Sequence, residues 1–263
     1  MPEGHTIHRL ARGLATTLRD EPLEATSPQG RFTAGAALLD GERVVRSEAW
    51  GKYLFVETTA AHILHVHLGL IGKFRSKPLP PPSPTDTVRL RLSNMGGCWD
   101  LTGPTRCELI SPDERHSIVS SLGPDPLRPR QNVDRARAKM AASTRTVGAI
   151  LLDQSVIAGL GNVYRAEILF LCGIHPGRES RRLSDADFEA IWGESVRLLR
   201  IGRRTGRIIT TSPEEVGRSR GRMRPEDALY VYHREYCRRC ASSIHTLRLG
   251  GRPMQFCSTC QPS

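Results

Sequence analysis

The chain has 263 residues and a formal net charge of +11, enough for one large domain or two ordinary ones with real cores. No apolar stretch approaches the roughly 18 residues of a membrane span and no secretory leader is visible, so a soluble intracellular protein is expected. Residues 1–120 carry 14 Lys and Arg against 13 Asp and Glu, whereas residues 121–263 carry 24 against 14, and 34 of the 38 basic residues are Arg. A basic half built from guanidinium forks suits a polyanion such as nucleic acid, with a merely solvated basic surface as the alternative.

The chain opens MPEGHT. Removal of Met1 would leave Pro2 with a free pyrrolidine nitrogen, a nucleophile that no internal residue can imitate, beside the Glu3 carboxylate. Many chains begin Met-Pro with no chemistry attached, so the hexapeptide alone decides nothing. Residues 3–18 predict a helix: Ile7, Leu10, Ala11, Leu14 and Leu18 form one apolar stripe. Glu3 is expected in its first turn, where a carboxylate complements the helix dipole. The same field lowers the pKa of a terminal amine below its reference of about 7.7–8.0.

From about residue 30 to 110 the pattern is strands. TVRLRLS alternates, with Val88, Leu90 and Leu92 on one face and Arg89 and Arg91 on the other. KYLFVE and HILHVHLG are rich in β-branched and aromatic residues. KPLPPPSPTD (77–86) reads as a Pro-rich loop, and LGPDPLRPRQN (122–132) as a linker. His65 and His67 share a strand face but have no evident third ligand, so they read as ordinary strand residues. Cys98, Cys107 and Cys172 read as small core hydrophobes.

Helical patterns dominate residues 133–206. VGAILLDQSVIAGLGNVYRAEILFLCG (147–173) predicts two apolar helical segments joined by AGLGN, the second capped by Asn162. Its N-terminus, with that side chain, would suit a phosphate. SPEEVGRSRGRMRPED (212–227) lacks apolar periodicity and is expected to be a mobile loop. Cys237-x2-Cys240 and Cys257-x2-Cys260, 16 residues apart, supply four thiolates for one structural zinc with no open position. Gly250-Gly251 predicts a two-residue hairpin turn between these pairs, with Arg252 at the tip.

MPEG at the start, WGKYLF at 50–55, HLGLIG at 67–72, LGPDPL at 122–127, LLDQSVIAGLGNVYRAE at 151–167 and the terminal FCSTCQ occur in one order. This ordered set resembles the formamidopyrimidine-DNA glycosylase/endonuclease VIII family of base-excision repair enzymes, closest to its actinobacterial endonuclease VIII-like branch. The resemblance implies an α+β multidomain fold: an N-terminal β-sandwich domain with a helix (2–121), a linker (122–132), a helical helix–two-turn–helix domain (133–228) and a C-terminal zinc-finger hairpin (229–263).

It also implies a bifunctional DNA glycosylase/AP lyase that forms a Schiff base and cleaves the strand by β,δ-elimination. In that scheme Pro2 is the nucleophile and Glu3 the acid/base. Lys52 contacts the lesion-site phosphate and aids the chemistry, and Asn162 and Arg252 hold the flanking phosphates. Leu70 fills the gap left by the flipped base, and Cys237, Cys240, Cys257 and Cys260 bind zinc. The implied partner is double-stranded DNA containing damaged bases or abasic sites, met by a monomer at the bacterial nucleoid and not at a membrane.

Two departures stand out. His5 and Thr6 replace a frequent Pro and Glu. The region DLTGPTRCEL lacks the Arg-Arg-Phe-Gly stretch of the purine-preferring branch, leaving Arg106 as an uncertain stand-in. Oxidised pyrimidines are therefore the expected substrates. The alternatives are a purine-preferring formamidopyrimidine/8-oxoguanine glycosylase and a non-catalytic damaged-DNA-binding protein.

Overall fold

The computed structural model describes residues 2–263, which divide into two compact units, 2–121 and Leu122–Ser263. In the first unit the expected helix forms as α1 (Gly4–Thr17). It is followed by β1 (Glu24–Thr26), α2 (Thr33–Leu39), β2 (Val44–Trp50), β3 (Tyr53–Thr58), β4 (Ile63–His67), β5 (Lys73–Lys77), β6 (Val88–Asn94), β7 (Gly97–Thr102), β8 (Arg106–Ile110) and α3 (Pro112–Ser121). The strands pair antiparallel into two four-stranded sheets among the described residues, ordered β1-β6-β7-β5 and β2-β3-β4-β8.

The sheets form a sandwich whose shared core draws Leu54, Val56, Leu64 and Val66 from one sheet and Phe74, Leu90, Leu92 and Leu101 from the other. The stripe of α1 joins it through Ile7, Ala11, Leu14 and Leu18. Each large aliphatic side chain so buried contributes about 1.5–3 kcal/mol. Trp99 of β7 donates from Nε1 to Thr17 Oγ1 at 2.8 Å, fixing the end of α1. The helix that carries Pro2 and Glu3 is thereby docked on rigid sheet.

Arg91 departs from a simple solvent face. It is buried, its guanidinium grips Asp100 at 2.7 and 2.8 Å, and it donates to the Pro82 carbonyl at 2.8 Å. The Pro-rich loop therefore lies against the outer face of β6, and the arginine is paired because a buried charge must be.

The second unit contains α4 (Val133–Ala141), α5 (Val147–Ile150), α6 (Asn162–Leu171), α7 (Asp185–Thr205), α8 (Pro213–Val216) and the antiparallel hairpin β9 (His245–Leu249) and β10 (Arg252–Phe256). Segment 122–132 is not free chain. Leu122 to Pro126 are buried, Gly123 donates to the Gln154 carbonyl, and Ala158 donates to that of Pro124.

The first of the two expected helices is a single turn, α5, followed by tight turns to residue 161. Asn162 is not the cap of α6. Gly161 holds that position, and Asn162 is the first helical residue, buried at 6% exposure. Its amide is held by the Arg165 side chain one turn on and by the Pro253 carbonyl rather than by the amides of the first turn.

Residues 212–227 also differ from the expected featureless loop. Ser212 and Glu215 form a reciprocal capping box on α8, Tyr230 donates its hydroxyl to Glu215, and Met223 is buried. The cap supplies locally the order that apolar periodicity does not. Among the described residues no helix is long and apolar enough to cross a membrane.

Candidate nucleic-acid site

In the first unit the chain enters α1 through Glu3, whose backbone is extended and whose carbonyl accepts from the amides of Thr6 and Ile7. Glu3 is the N-cap and not, as expected, a first-turn residue, and its side chain makes no cap hydrogen bond. It is fully buried at the end of the helix where the free backbone amides present partial positive charge. Pro2 precedes it, half-buried. His5 is buried on the same turn and lies 3.2 Å from the Thr6 hydroxyl through Nε2. Burial first, and the positive amino terminus second, push its pKa down to about 4. The imidazole is therefore neutral at ordinary pH.

Helix α1 packs on β2 and β3, and the two-residue turn between these strands, Gly51-Lys52, is closed by the pair Trp50 and Tyr53. Lys52 is half-buried on that turn. Its charge acts on His67, whose pKa is lowered by burial first and by Lys52 second. His65 is not a metal ligand in waiting. Its Nδ1 lies 3.0 Å from Glu108 Oε1, and its ring stacks on Tyr53 and Phe55.

Leu70 lies on the turn between β4 and β5. Gly69 has φ +65°, and a Cβ there would stand 1.9 Å from Thr105 Oγ1. A Cβ on Gly72 would stand 2.3 Å from the Leu68 carbonyl. The two glycines allow a turn too tight for side chains inside it, so Leu70 and Ile71 are left 56% and 78% exposed. Two large aliphatic residues held in water at a rigid turn tip are costly to a free protein and suit insertion into an apolar stack. Arg106 is exposed on β8, opposite His67.

In the second unit the hairpin turn forms as expected, with positive φ at Gly250 and Gly251 and Arg252 paired to Leu249. Arg252 is half-buried at the tip. Asn162 reaches the same hairpin by donating Nδ2 to the Pro253 carbonyl at 3.0 Å. Its Oδ1 accepts from Arg165 Nε and Nη2 at 3.0 and 2.6 Å. Thus α6 brings Asn162 and the Arg252 hairpin together.

The Sγ atoms of Cys237, Cys240, Cys257 and Cys260 all lie within 4.8 Å of one another, with the pairs Cys237–Cys260 at 3.9 Å and Cys240–Cys257 at 3.4 Å. Four thiolates around a tetrahedral ion at ~2.3 Å stand about 3.8 Å apart, so this set can hold a metal. Cys107 and Cys172 behave differently: burial pushes their thiols up to about 12, which leaves them inert.

Two important residues lie inside LLDQSVIAGLGNVYRAE with no role assigned to them from the sequence. Glu167 is fully buried and accepts from the amides of Tyr230, Val231 and Tyr232 at 2.8 Å each, and from the Thr210 hydroxyl. Burial pushes its pKa up and these donors oppose that shift. Arg165 is its counterpart on the hairpin side. The available signal was the presence of charges inside a helix otherwise apolar all round, which demands buried partners.

Residues 1–108 match the formamidopyrimidine-DNA glycosylase N-terminal domain, and residues 122–214 match the formamidopyrimidine-DNA glycosylase H2TH domain. The chain belongs to the formamidopyrimidine-DNA glycosylase/endonuclease VIII family. Its members are DNA glycosylases of base-excision repair with AP-lyase activity. The chain is 42% identical over 267 residues to Endonuclease 8 1 of Mycobacterium tuberculosis, covering 99% of this chain and 100% of the relative. It is 30% identical over 282 residues to the formamidopyrimidine-DNA glycosylase of Synechococcus elongatus, covering 100% and 98%.

Among solved structures, it resembles the Lactococcus lactis Fpg protein in complex with DNA containing N7-benzyl-Fapy-dG. The TM-score is 0.81 and the identity 26%, with both chains fully covered. The same protein bound to abasic-site DNA gives a TM-score of 0.78 at 26% identity, covering 99% of this chain and 100% of that one.

Proposed function

We propose that this glycosylase/lyase removes oxidised pyrimidines from double-stranded DNA, with Pro2 as nucleophile once Met1 is removed. The observation that carries the reading is a buried carboxylate, Glu3, held at the positive end of α1 directly beside Pro2. In the chemistry this supports, the Pro2 nitrogen attacks C1′ of the damaged nucleotide and the C1′–N bond to the base breaks. Glu3 takes up the proton that the Pro2 nitrogen loses and passes it to the ring oxygen as C1′–O4′ opens, water protonates the departing base anion, and the nitrogen lone pair closes the C1′=N iminium.

A secondary amine reaches an iminium after losing its single proton, so proline is competent. Loss of a C2′ proton then expels the 3′ phosphate, loss of a C4′ proton expels the 5′ phosphate, and water releases the enzyme. The neutral His5 adds no competing positive charge beside the amine.

Lys52 is assigned to the lesion-site phosphate, Asn162 and Arg252 to the flanking phosphates, and Leu70 to the space of the everted base. Unstacking costs a few kcal/mol, which an inserted aliphatic side chain partly offsets. The exposure of Leu70 supports this role. One zinc ion in the four-cysteine cluster would hold the Arg252 hairpin, with no part in bond breaking. The residue division is a catalytic domain (2–121), a helical domain (133–228) and a zinc finger (229–263). The protein would work as a monomer on nucleoid DNA in the bacterial cytoplasm.

The pyrimidine preference is supported by the full-length match to Endonuclease 8 1 and by the sequence DLTGPTRCEL. A purine-preferring glycosylase is the second reading, favoured by the Lactococcus lactis Fpg structure containing a Fapy-dG derivative. Single-turnover excision on a panel of single-lesion duplexes separates the two. Faster removal of oxidised pyrimidines than of 8-oxoguanine and formamidopyrimidines supports the first, and the reverse order supports the second. Absence of excision of any lesion, with DNA still bound, would leave only a damaged-DNA binder.

A further inference from the structure

Arg165 is fully buried, and it is one of the largest such side chains in the molecule. It stands three residues after Asn162 on α6, hence on the same helix face. Beyond its two bonds to Asn162 Oδ1, it donates from Nη1 to the carbonyl of Leu249 at 3.0 Å and to that of Gly148. A fourth acceptor is the carbonyl of Arg252, 3.4 Å from Nη2. One guanidinium therefore touches the Asn162 side chain, the turn of α5 and both residues that close the hairpin tip.

Burying a guanidinium costs several kcal/mol in desolvation. Simple packing of α6 against β10 needs no charge, and an aliphatic residue would serve. The planar fork does something an aliphatic chain cannot: it binds acceptors on separate elements in one fixed geometry. It also orients Asn162. With Oδ1 held by Arg165 and one Nδ2 proton given to Pro253, a single Nδ2 proton is left for a further acceptor.

We infer that Arg165 is a positioning residue for DNA binding, which locks Asn162 and the Arg252 hairpin into one rigid phosphate clamp. This rests on the assignment of Asn162 and Arg252 to phosphates. Arg165 itself touches no DNA, because no part of it reaches the surface. It acts through Asn162 and through the hairpin carbonyls it bonds directly, so its effect on affinity must shrink when the Asn162 amide is absent.

The test is a double-mutant cycle on the full-length, zinc-loaded protein, with affinity for an abasic-analogue duplex measured at fixed salt. Arg165→Lys keeps the charge but only one nitrogen. It is expected to retain one zinc per chain, weaken affinity about tenfold, and leave the single-turnover excision rate at saturating DNA within about twofold of the parent. Asn162→Ala is expected to weaken affinity to a similar extent, and the double variant to be weaker than Asn162→Ala alone by much less than tenfold.

Effects that multiply in full would overturn the inference, as would parental affinity in Arg165→Lys or a loss confined to the excision rate. Arg165→Met extends the same cycle, and if it loses zinc and fold the lysine variant still decides. If Asn162→Ala and Arg252→Ala both bind like the parent, the phosphate assignment has failed instead, a result separable from failure of the coupling.

Discussion

The two units carry the side chains proposed to meet DNA in opposite ways. In the N-terminal unit Lys52 is half-buried and Leu70 largely exposed, each on a tight turn between strands. In the C-terminal unit Asn162 is buried and bound at both ends of its amide, and the hairpin carrying Arg252 is bonded to the same guanidinium. A phosphate grip benefits from groups fixed before DNA arrives, because ordering them on binding costs affinity. Groups that enter the helix or follow the sugar through several steps are better borne on turns. The N-terminus is the exception in its unit: Glu3 is buried at a helix end, as the acid/base role proposed for it requires.

Removing the metal should break this contrast most completely. Cys237→Ser is expected to lose zinc and abasic-DNA affinity together, since binding of a structural zinc is worth about 10–16 kcal/mol and is inseparable from local folding. Elemental analysis beside binding isotherms checks this, and a zinc-free variant of parental affinity would remove the finger from the DNA site. Glu3→Gln tests the other unit. It keeps the shape and loses the ionisable group, so DNA binding should stay within about twofold while single-turnover excision falls about 10²–10⁴-fold.

Acid should act on the N-terminal unit first. His5 binds its proton with a pKa of about 4 when folded against 6.5 when unfolded. The unfolded chain therefore takes up the proton first as pH falls, and stability is full above about 6.5 and declines toward 4. The loss reaches roughly 3 kcal/mol for this group. His65 and His67, also lowered chiefly by burial, add in the same direction. Urea midpoints between pH 7 and 4.5 should show the decline, and His5→Gln should flatten it.

The smallest effect separates the two residues proposed as phosphate ligands of one clamp. Arg252→Ala should reduce the log–log salt slope of binding by roughly one unit, whereas neutral Asn162 releases no counterion and Asn162→Ala should leave the slope unchanged.

Local chemistry made much of this legible in the sequence. The cysteine spacing led to the four-sulfur cluster, the Gly-Gly pair to the hairpin turn, and the alternation of TVRLRLS to β6. The errors lie where distant residues decide. Asn162 resembles a helix cap because caps are recognised locally, but its amide is taken by Pro253, 91 residues away. Arg91 resembles a solvent-facing strand residue until Asp100 and the Pro82 carbonyl are seen beside it. Arg165 and Glu167 bond to segments 17 to 87 residues distant, and within LLDQSVIAGLGNVYRAE their charge in an apolar helix was the physical hint that they mattered. Residues 212–227 misled for the opposite reason: a local capping box supplied order without any apolar stripe.

The central claim is that the amine of Pro2 becomes covalently joined to the sugar. Borohydride reduction during reaction with an abasic or oxidised-pyrimidine duplex, followed by mass spectrometry of the digested adduct, tests it directly. The account predicts a trapped enzyme–DNA species whose modified peptide begins at Pro2, with trapping weakened in Pro2→Gly and abolished where Met1 is retained. Full trapping with Met1 in place, or an adduct mapped to an internal lysine such as Lys52, would contradict it.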